Sequence, residues 1–89
     1  MIHVKEIRLT CSACPEQWEG LTNDDCPVYV RYRHGFLTVQ VGEKGKDTMS
    51  AVKSNKILNI VVDDYYGLGY SEMKRLTKDV IKFPEIEND

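Results

Sequence analysis

The chain lacks a strong excess of charge of either sign. Of its 89 residues, 14 are acidic and 12 are basic, so the formal net charge is −2. A domain that binds nucleic acid through phosphate contacts usually has a clear positive excess, and an imitation of nucleic acid would need a dense acidic surface. The composition favours neither class. With 42% hydrophobic and 29% charged residues, it is typical of a single globular domain.

Long apolar runs are also missing. No stretch approaches the roughly 20 apolar residues that a helix needs to cross a bilayer. The first ten residues, MIHVKEIRLT, have neither the apolar segment nor the cleavage site of a secretion signal. These absences predict a cytoplasmic protein without a membrane partner. Cytosolic thiols stay reduced, so the three cysteines are expected to be thiols or metal ligands rather than disulfides.

Motifs for catalysis are absent as well. The glycines of GLG (67–69) lack the spacing and the following lysine of a phosphate-binding loop. Asp63 and Asp64 are adjacent, and neighbouring residues of a strand point to opposite faces, which does not suit acid–base chemistry. No serine, histidine and acid form a recognisable triad. The sequence therefore predicts a protein that is not an enzyme.

What the chain does contain is a clear β-hairpin signal in CPVYVRYRHGFLTVQVG, residues 26–42. If His34 and Gly35 form a two-residue turn with positive φ at both positions, the register follows directly. Arg33 then pairs with Phe36, and pairs continue to Val28 opposite Val41. One face collects Val28, Val30, Tyr32, Leu37, Val39 and Val41. The other collects Tyr29, Arg31, Arg33, Phe36, Thr38 and Gln40.

The flanking segments give weaker signals. Alternating apolar residues predict a first strand over 4–10, with a bulge or late start near Lys5. Residues 11–27 have no sustained period and are interpreted as a long loop. Within 47–64 the pattern favours a short helix followed by a strand, although that apolar run also fits a buried helical turn.

Apolar residues at helical spacing predict a C-terminal helix over about 72–82, which Pro84 would end. The expected fold is therefore α+β, with a small antiparallel sheet built on the 28–41 hairpin and packed against this helix. The expected domain is 1–83, followed by an acidic tail over 84–89.

Cys11 and Cys14 have the spacing of two ligands of one zinc ion. Cys26 and His34 are candidates for the other two positions. Zinc would explain how so small a domain orders a loop of this length.

Pro15, directly after Cys14, removes a backbone N–H that usually faces the metal-bound sulfur, and this disfavours zinc. His3 or the Asp24–Asp25 pair are further candidates for the fourth ligand. A redox-active thiol pair is an alternative, although the helix N-terminus that would activate it is not predicted. The interpretation that the sequence favours most is ordinary half-buried thiols near Trp18, with no cofactor.

The polar face of the hairpin predicts a partner-binding surface made of Tyr29, Arg31, Arg33, Phe36 and Gln40. Tyrosine and arginine are enriched where binding energy concentrates in interfaces. The same residue types are also common on solvated sheet faces, and the segment 47–64 or the loop with Trp18 could cover them.

The runs CSACPEQWEG, PVYVRYRHGFLTVQVG and GYSEMKRLT resemble a group of small uncharacterised proteins from phage and bacterial genomes. The resemblance covers about half of the chain, and the group has no established activity to transfer. It implies a phage accessory protein, and such proteins are often inhibitors that occupy the surface of a host protein, including defence nucleases.

Three functional hypotheses follow. The first is a non-enzymatic module that binds a protein partner through the polar hairpin face. The second is a small zinc-stabilised domain that uses the same arginines and aromatic rings on nucleic acid. The third is a thiol redox protein based on Cys11 and Cys14.

Overall fold

One curled, six-stranded mixed sheet forms most of the protein. The computed structural model describes residues 1–12, 16–62 and 67–85. The strands follow the order β5-β4-β3-β2-β1-β6 across the sheet. In chain order the elements are β1 (Ile2–Ser12), β2 (Glu16–Thr22), β3 (Pro27–Arg33), β4 (Phe36–Val41), α1 (Thr48–Val52), β5 (Lys56–Val61), α2 (Tyr70–Thr77) and β6 (Ile81–Lys82).

The predicted fold class is wrong. Of the described residues, 50% lie in strands and 17% in helices, and among them no long C-terminal helix packs on a small sheet. Helix α2 ends at Thr77, and the chain then forms β6, which pairs in parallel with Ile2 and His3 of β1. Ile81, which the sequence pattern assigns to the end of the predicted helix, belongs to this short strand and is fully buried, as is nearly all of the following Phe83.

The hairpin is confirmed in its predicted register. Every pair from Arg33 with Phe36 to Val28 with Val41 is present. His34 and Gly35 form the turn with φ of 53° and 80°. The aliphatic face lies in the core, where Val28, Val30, Leu37 and Val39 have no exposed surface and Tyr32 is 5% exposed.

The turn allows a prediction about stability. We expect His34→Asn to raise the free energy of unfolding by about 0.5–1 kcal/mol, because Asn tolerates positive φ better than His and Asn-Gly is the preferred two-residue hairpin turn. Urea denaturation would measure the difference. An unchanged or lower stability would mean that the bond from Arg33 Nε to His34 Nε2, 3.0 Å long, matters more than the turn conformation.

The predicted loop over 11–27 contains a central strand, so that interpretation is also wrong. Strand β2 lies between β1 and β3 and places Trp18 in the core, where it is 2% exposed. The predicted first strand is longer than expected, and the bulge near Lys5 is confirmed by a register shift between Val4 and Glu6. The helix and strand expected within 47–64 are confirmed as α1 and β5.

The two faces of the sheet carry different helices. On the inner face, Tyr70 and Met73 of α2 join the apolar side chains of β2, β3 and β4 in one core. The carboxylate of Glu16 accepts hydrogen bonds from the backbone N–H groups of Leu68, at 2.7 Å, and Gly69, at 3.2 Å. This links the start of α2 to β2. On the outer face, α1 packs against β3 and β4. Neither helix is long or apolar enough to span a membrane in the described part of the chain.

Candidate interaction surface

The outer face of the sheet is organised in rows of paired residues that cross neighbouring strands. Paired residues of a sheet place their side chains on the same face. The rows on this side are Arg33–Phe36–Val61, Gln17–Arg31–Thr38–Asn59 and Glu19–Tyr29–Gln40–Lys56.

The first row is the most exposed. Arg33 is exposed, Phe36 is 49% exposed and Val61 is 74% exposed. Because Phe36 and Val61 are direct cross-strand partners, they form one continuous apolar surface across β4 and the edge strand β5. Arginine and aromatic residues are enriched at the centres of protein interfaces.

Arg31 and Arg33 have no carboxylate partner among the described residues. Arg33 uses its Nε on His34, whereas the Nε of Arg31 is buried and has no acceptor within the parts of the chain that the structure describes. A buried donor without an acceptor is costly, by about 1–3 kcal/mol. Such a group requires an explanation, and the contacts among the described residues do not supply one.

The ion pairs of the described residues lie away from this surface. They join Lys5 to Asp25, Arg75 to Glu72 and Lys74 to Glu85. The hydrogen bond from Lys5 lowers the pKa of the Asp25 carboxyl and raises the pKa of Lys5. The pair is therefore formed at neutral pH and is lost as the pH falls through the lowered pKa of Asp25. Both groups are exposed, so solvent screens their interaction.

Tyr29 is only partly available. It is half-buried, and its O–H donates to the side-chain oxygen of Gln17 at 3.2 Å. The ring is therefore held against β2.

Gln40, a member of the predicted surface, is buried beneath α1. Gln40 is 8% exposed, and its Nε2 donates to the backbone oxygens of Val52 at 2.9 Å and Ser54 at 2.8 Å. Helix α1 and its C-terminal end cover this part of the outer face, so Gln40 links α1 to the sheet and is not exposed. Thr38, on the neighbouring row, is also 8% exposed.

The predicted metal ligands are not all brought together. Cys11 pairs with Gln17 at one end of β2, whereas the backbone N–H of Cys26 binds Thr22 Oγ1 at the other end. Five residues of strand separate these points by about 17 Å, whereas the ligands of one zinc each lie about 2.3 Å from the ion. His34 lies at the same end of the sheet as Cys11, because Tyr32 and Ser12 both pair with Glu16.

Cys14 lies outside the described residues, as do Asp63 and Asp64. Within residues 1–12, 16–62 and 67–85, no three His, Cys, Asp or Glu side chains form a group that could hold a metal ion. A zinc site or a redox pair based on Cys11 and Cys14 therefore stays a prediction.

The sequence interpretation missed the contribution of β5. Val61, Asn59 and Lys56 extend the three rows to the edge of the sheet. The β-branched character of KILNIV predicts the strand but not its pairing with β4. Once this run is placed beside β4, Val61 falls opposite Phe36 on the outer face.

Comparisons with known proteins add no relative. No family model, no curated protein and no solved structure matches this chain.

Proposed function

We propose that this protein is a non-enzymatic interaction module that binds an acidic surface of another protein through its outer face. The contact surface consists of Arg31, Arg33, Phe36 and Val61, with Tyr29 at its border. An inhibitor that occupies the surface of a host protein is the form of this function that the resemblance to phage proteins suggests.

The observation that carries the proposal is the combination of two arginines without a carboxylate partner in the described residues and an exposed apolar pair beside them. Arginine presents a planar set of donors that matches a carboxylate, and the adjacent ring and aliphatic groups would exclude water from that contact. The net charge of −2 favours a local acidic contact over the extended phosphate contacts of nucleic acid.

Charge reversal tests this surface. We expect Arg31→Glu with Arg33→Glu to weaken binding to the protein captured by the wild-type chain at least about a hundredfold, because arginines at the centre of an interface each contribute about 2 kcal/mol or more. Capture from a lysate, followed by titration of the purified partner, would measure it. Lys44→Glu with Lys46→Glu is the matched control, because it makes the same change of charge at exposed residues of the β4–α1 connection.

Arg31 is half-buried, so the double variant needs a test of folding by circular dichroism. The single variant Arg33→Glu, at an exposed position, keeps the experiment decisive if the double variant unfolds. Equal binding by Arg33→Glu and by the lysine control would exclude this face. Binding of single-stranded DNA that falls steeply with salt and is lost on charge reversal would support nucleic acid as the partner instead.

A further inference from the structure

Strand β5 leaves one edge of its backbone without a partner in the part of the chain that the structure describes, because it pairs only with β4. The direction of each backbone group follows from the hairpin turn. Arg33 and Phe36 flank a two-residue turn, so they hydrogen-bond to each other, and the backbone groups of Leu37 and Val39 point towards β5.

Their partners on β5 are Ile60 and Leu58, whose backbone groups therefore point towards β4. The hydrogen bond of 2.8 Å from Val62 N–H to Gly35 oxygen follows the same alternation. The backbone N–H and C=O groups of Asn59 and Val61 consequently point away from the sheet.

The side chains along this edge are uncharged from Ile57 to Val61. Ile57 is 38% exposed and Val61 is 74% exposed. An exposed, uncharged edge strand is a template on which another chain can add a strand.

The opposite edge of the sheet is protected. Strand β6 covers Ile2 and His3, and two register shifts interrupt β1. Charged residues, among them Lys5, Glu6 and Arg8, also occur along β1. Bulges, charges and a covering strand are the usual means by which proteins prevent pairing at an edge. Strand β5 has one register shift, at its start, and no covering strand in the described residues.

We propose that the β5 edge receives an extended acidic segment of a partner protein as an additional strand of the sheet. This inference rests on the proposed function and specifies its mode of binding. Lys56 is exposed at the start of β5, and Lys53 is exposed just before it. Near the other end of β5, Arg33 is exposed in the same row as Phe36 and Val61. None of the three charged side chains forms an ion pair within the described residues, so all three are available to acidic groups of a partner strand.

An added strand would lie about 4.8 Å from β5. Its outer-face side chains would extend the existing rows, with an acidic residue beside Lys56. Its inner-face side chains would be apolar and would lie beside Leu58 and Ile60, which pack against the core. Backbone hydrogen bonds to Asn59 and Val61 would supply affinity, and the two side-chain positions would supply specificity.

Hydrogen exchange of the full-length chain tests this inference with a synthetic peptide of alternating valine and glutamate as the probe. We expect the amides of Asn59 and Val61 to exchange rapidly in the free protein and to become protected when the peptide binds. The amides of Leu58 and Ile60 should be protected in both states. A valine–lysine peptide should protect Asn59 and Val61 much less.

Asn59→Pro removes one outward N–H and leaves the bonds between β4 and β5 in place, since proline is tolerated where the N–H of an edge strand faces solvent. We expect about a tenfold loss of peptide affinity, from one lost hydrogen bond and the altered edge. Asn59→Thr keeps the N–H and is the control. If Asn59→Pro does not fold, the hydrogen exchange of Asn59 and Val61 in the wild-type chain, with and without the peptide, still tests strand addition.

Three outcomes would overturn the inference. They are absence of protection at the highest peptide concentration, equal protection by the valine–lysine peptide, and protection without peptide in a dimer, which would assign the edge to a second copy of this chain. If charge reversal at Arg31 and Arg33 abolishes partner capture while Asn59→Pro leaves it unchanged, the proposed function stands and strand addition does not.

Discussion

Replacing Gly20 by alanine should lower the free energy of unfolding by about 3 kcal/mol or more, which is a large part of the roughly 4–13 kcal/mol expected for a chain of this length. A Cβ at Gly20 would lie 2.0 Å from the backbone oxygen of Glu6 and 2.9 Å from the Cα of Ile7. Both neighbours are backbone atoms of β1, so no side-chain rotation can relieve the contact. Strand β1 would have to move away from β2, next to its bulge.

Thermal or urea denaturation would measure the loss, and a decrease in the melting temperature of about 15 °C is expected. Gly45→Ala is the matched control. Gly45 has φ of 78°, but a Cβ there would meet nothing within 4 Å. We expect this control to cost about 1 kcal/mol, from backbone strain alone. If Gly20→Ala costs no more than Gly45→Ala, the close approach of β1 to β2 is not a feature of the folded protein.

The same glycine explains why β2 could not be recognised in the sequence. The inward positions of EQWEGLT are Glu16, Trp18, Gly20 and Thr22, of which the last three are buried. Only Trp18 is strongly apolar, and glycine beside polar residues is typical of a loop. Gly20 is required because another strand passes within contact distance of its backbone. That requirement comes from tertiary structure and leaves no local periodicity.

The hairpin could be predicted because its determinants are local. Its strands are joined by two residues, and a shift of one residue would exchange the aliphatic face with the arginine face. By contrast, β6 forms only because Ile81 lies beside Ile2, at the start of the first strand. The apolar residues from Met73 to Ile81 fit a helix until that contact is known.

The arrangement of the candidate interaction surface could be predicted in part for the same reason. Alternation within the hairpin placed Arg31, Arg33 and Phe36 on one face, and the structure keeps them there. Whether that face is exposed depends on segments far along the chain. Helix α1 covers the end that contains Gln40, and β5 adds Val61 at the other end.

Gln40→Glu should produce the other large effect on stability, a loss of about 3 kcal/mol at neutral pH. The buried amide of Gln40 donates to the backbone oxygens of Val52 and Ser54. A carboxylate of the same shape has no donor, so it would leave both carbonyl groups unsatisfied and place a buried charge against them. Either helix α1 separates from the sheet, or it stays in place and the folded state bears the free-energy cost of the buried carboxylate.

The loss should depend on pH in a defined direction. A protonated carboxyl keeps one donor, so the folded state favours the neutral form and raises the pKa of the introduced carboxyl group above the unfolded value of about 4.3. Between the pKa of the unfolded state and the higher pKa of the folded state, the folded protein binds more protons than the unfolded chain. Stability therefore falls as the pH rises from the first value to the second. We expect most of the lost stability to return below about pH 4, where the carboxyl is protonated in both states. Urea denaturation across this range would measure it against the wild-type chain.

Gln17→Glu is a matched control on the same face of the sheet. The side-chain oxygen of Gln17 accepts from the Tyr29 hydroxyl, and a carboxylate can accept equally well. We expect a change below about 1 kcal/mol and no loss of stability as the pH rises. If Gln40→Glu and Gln17→Glu behave alike across this range, the donor role of Gln40 is wrong and α1 is held to the sheet by its apolar contacts instead.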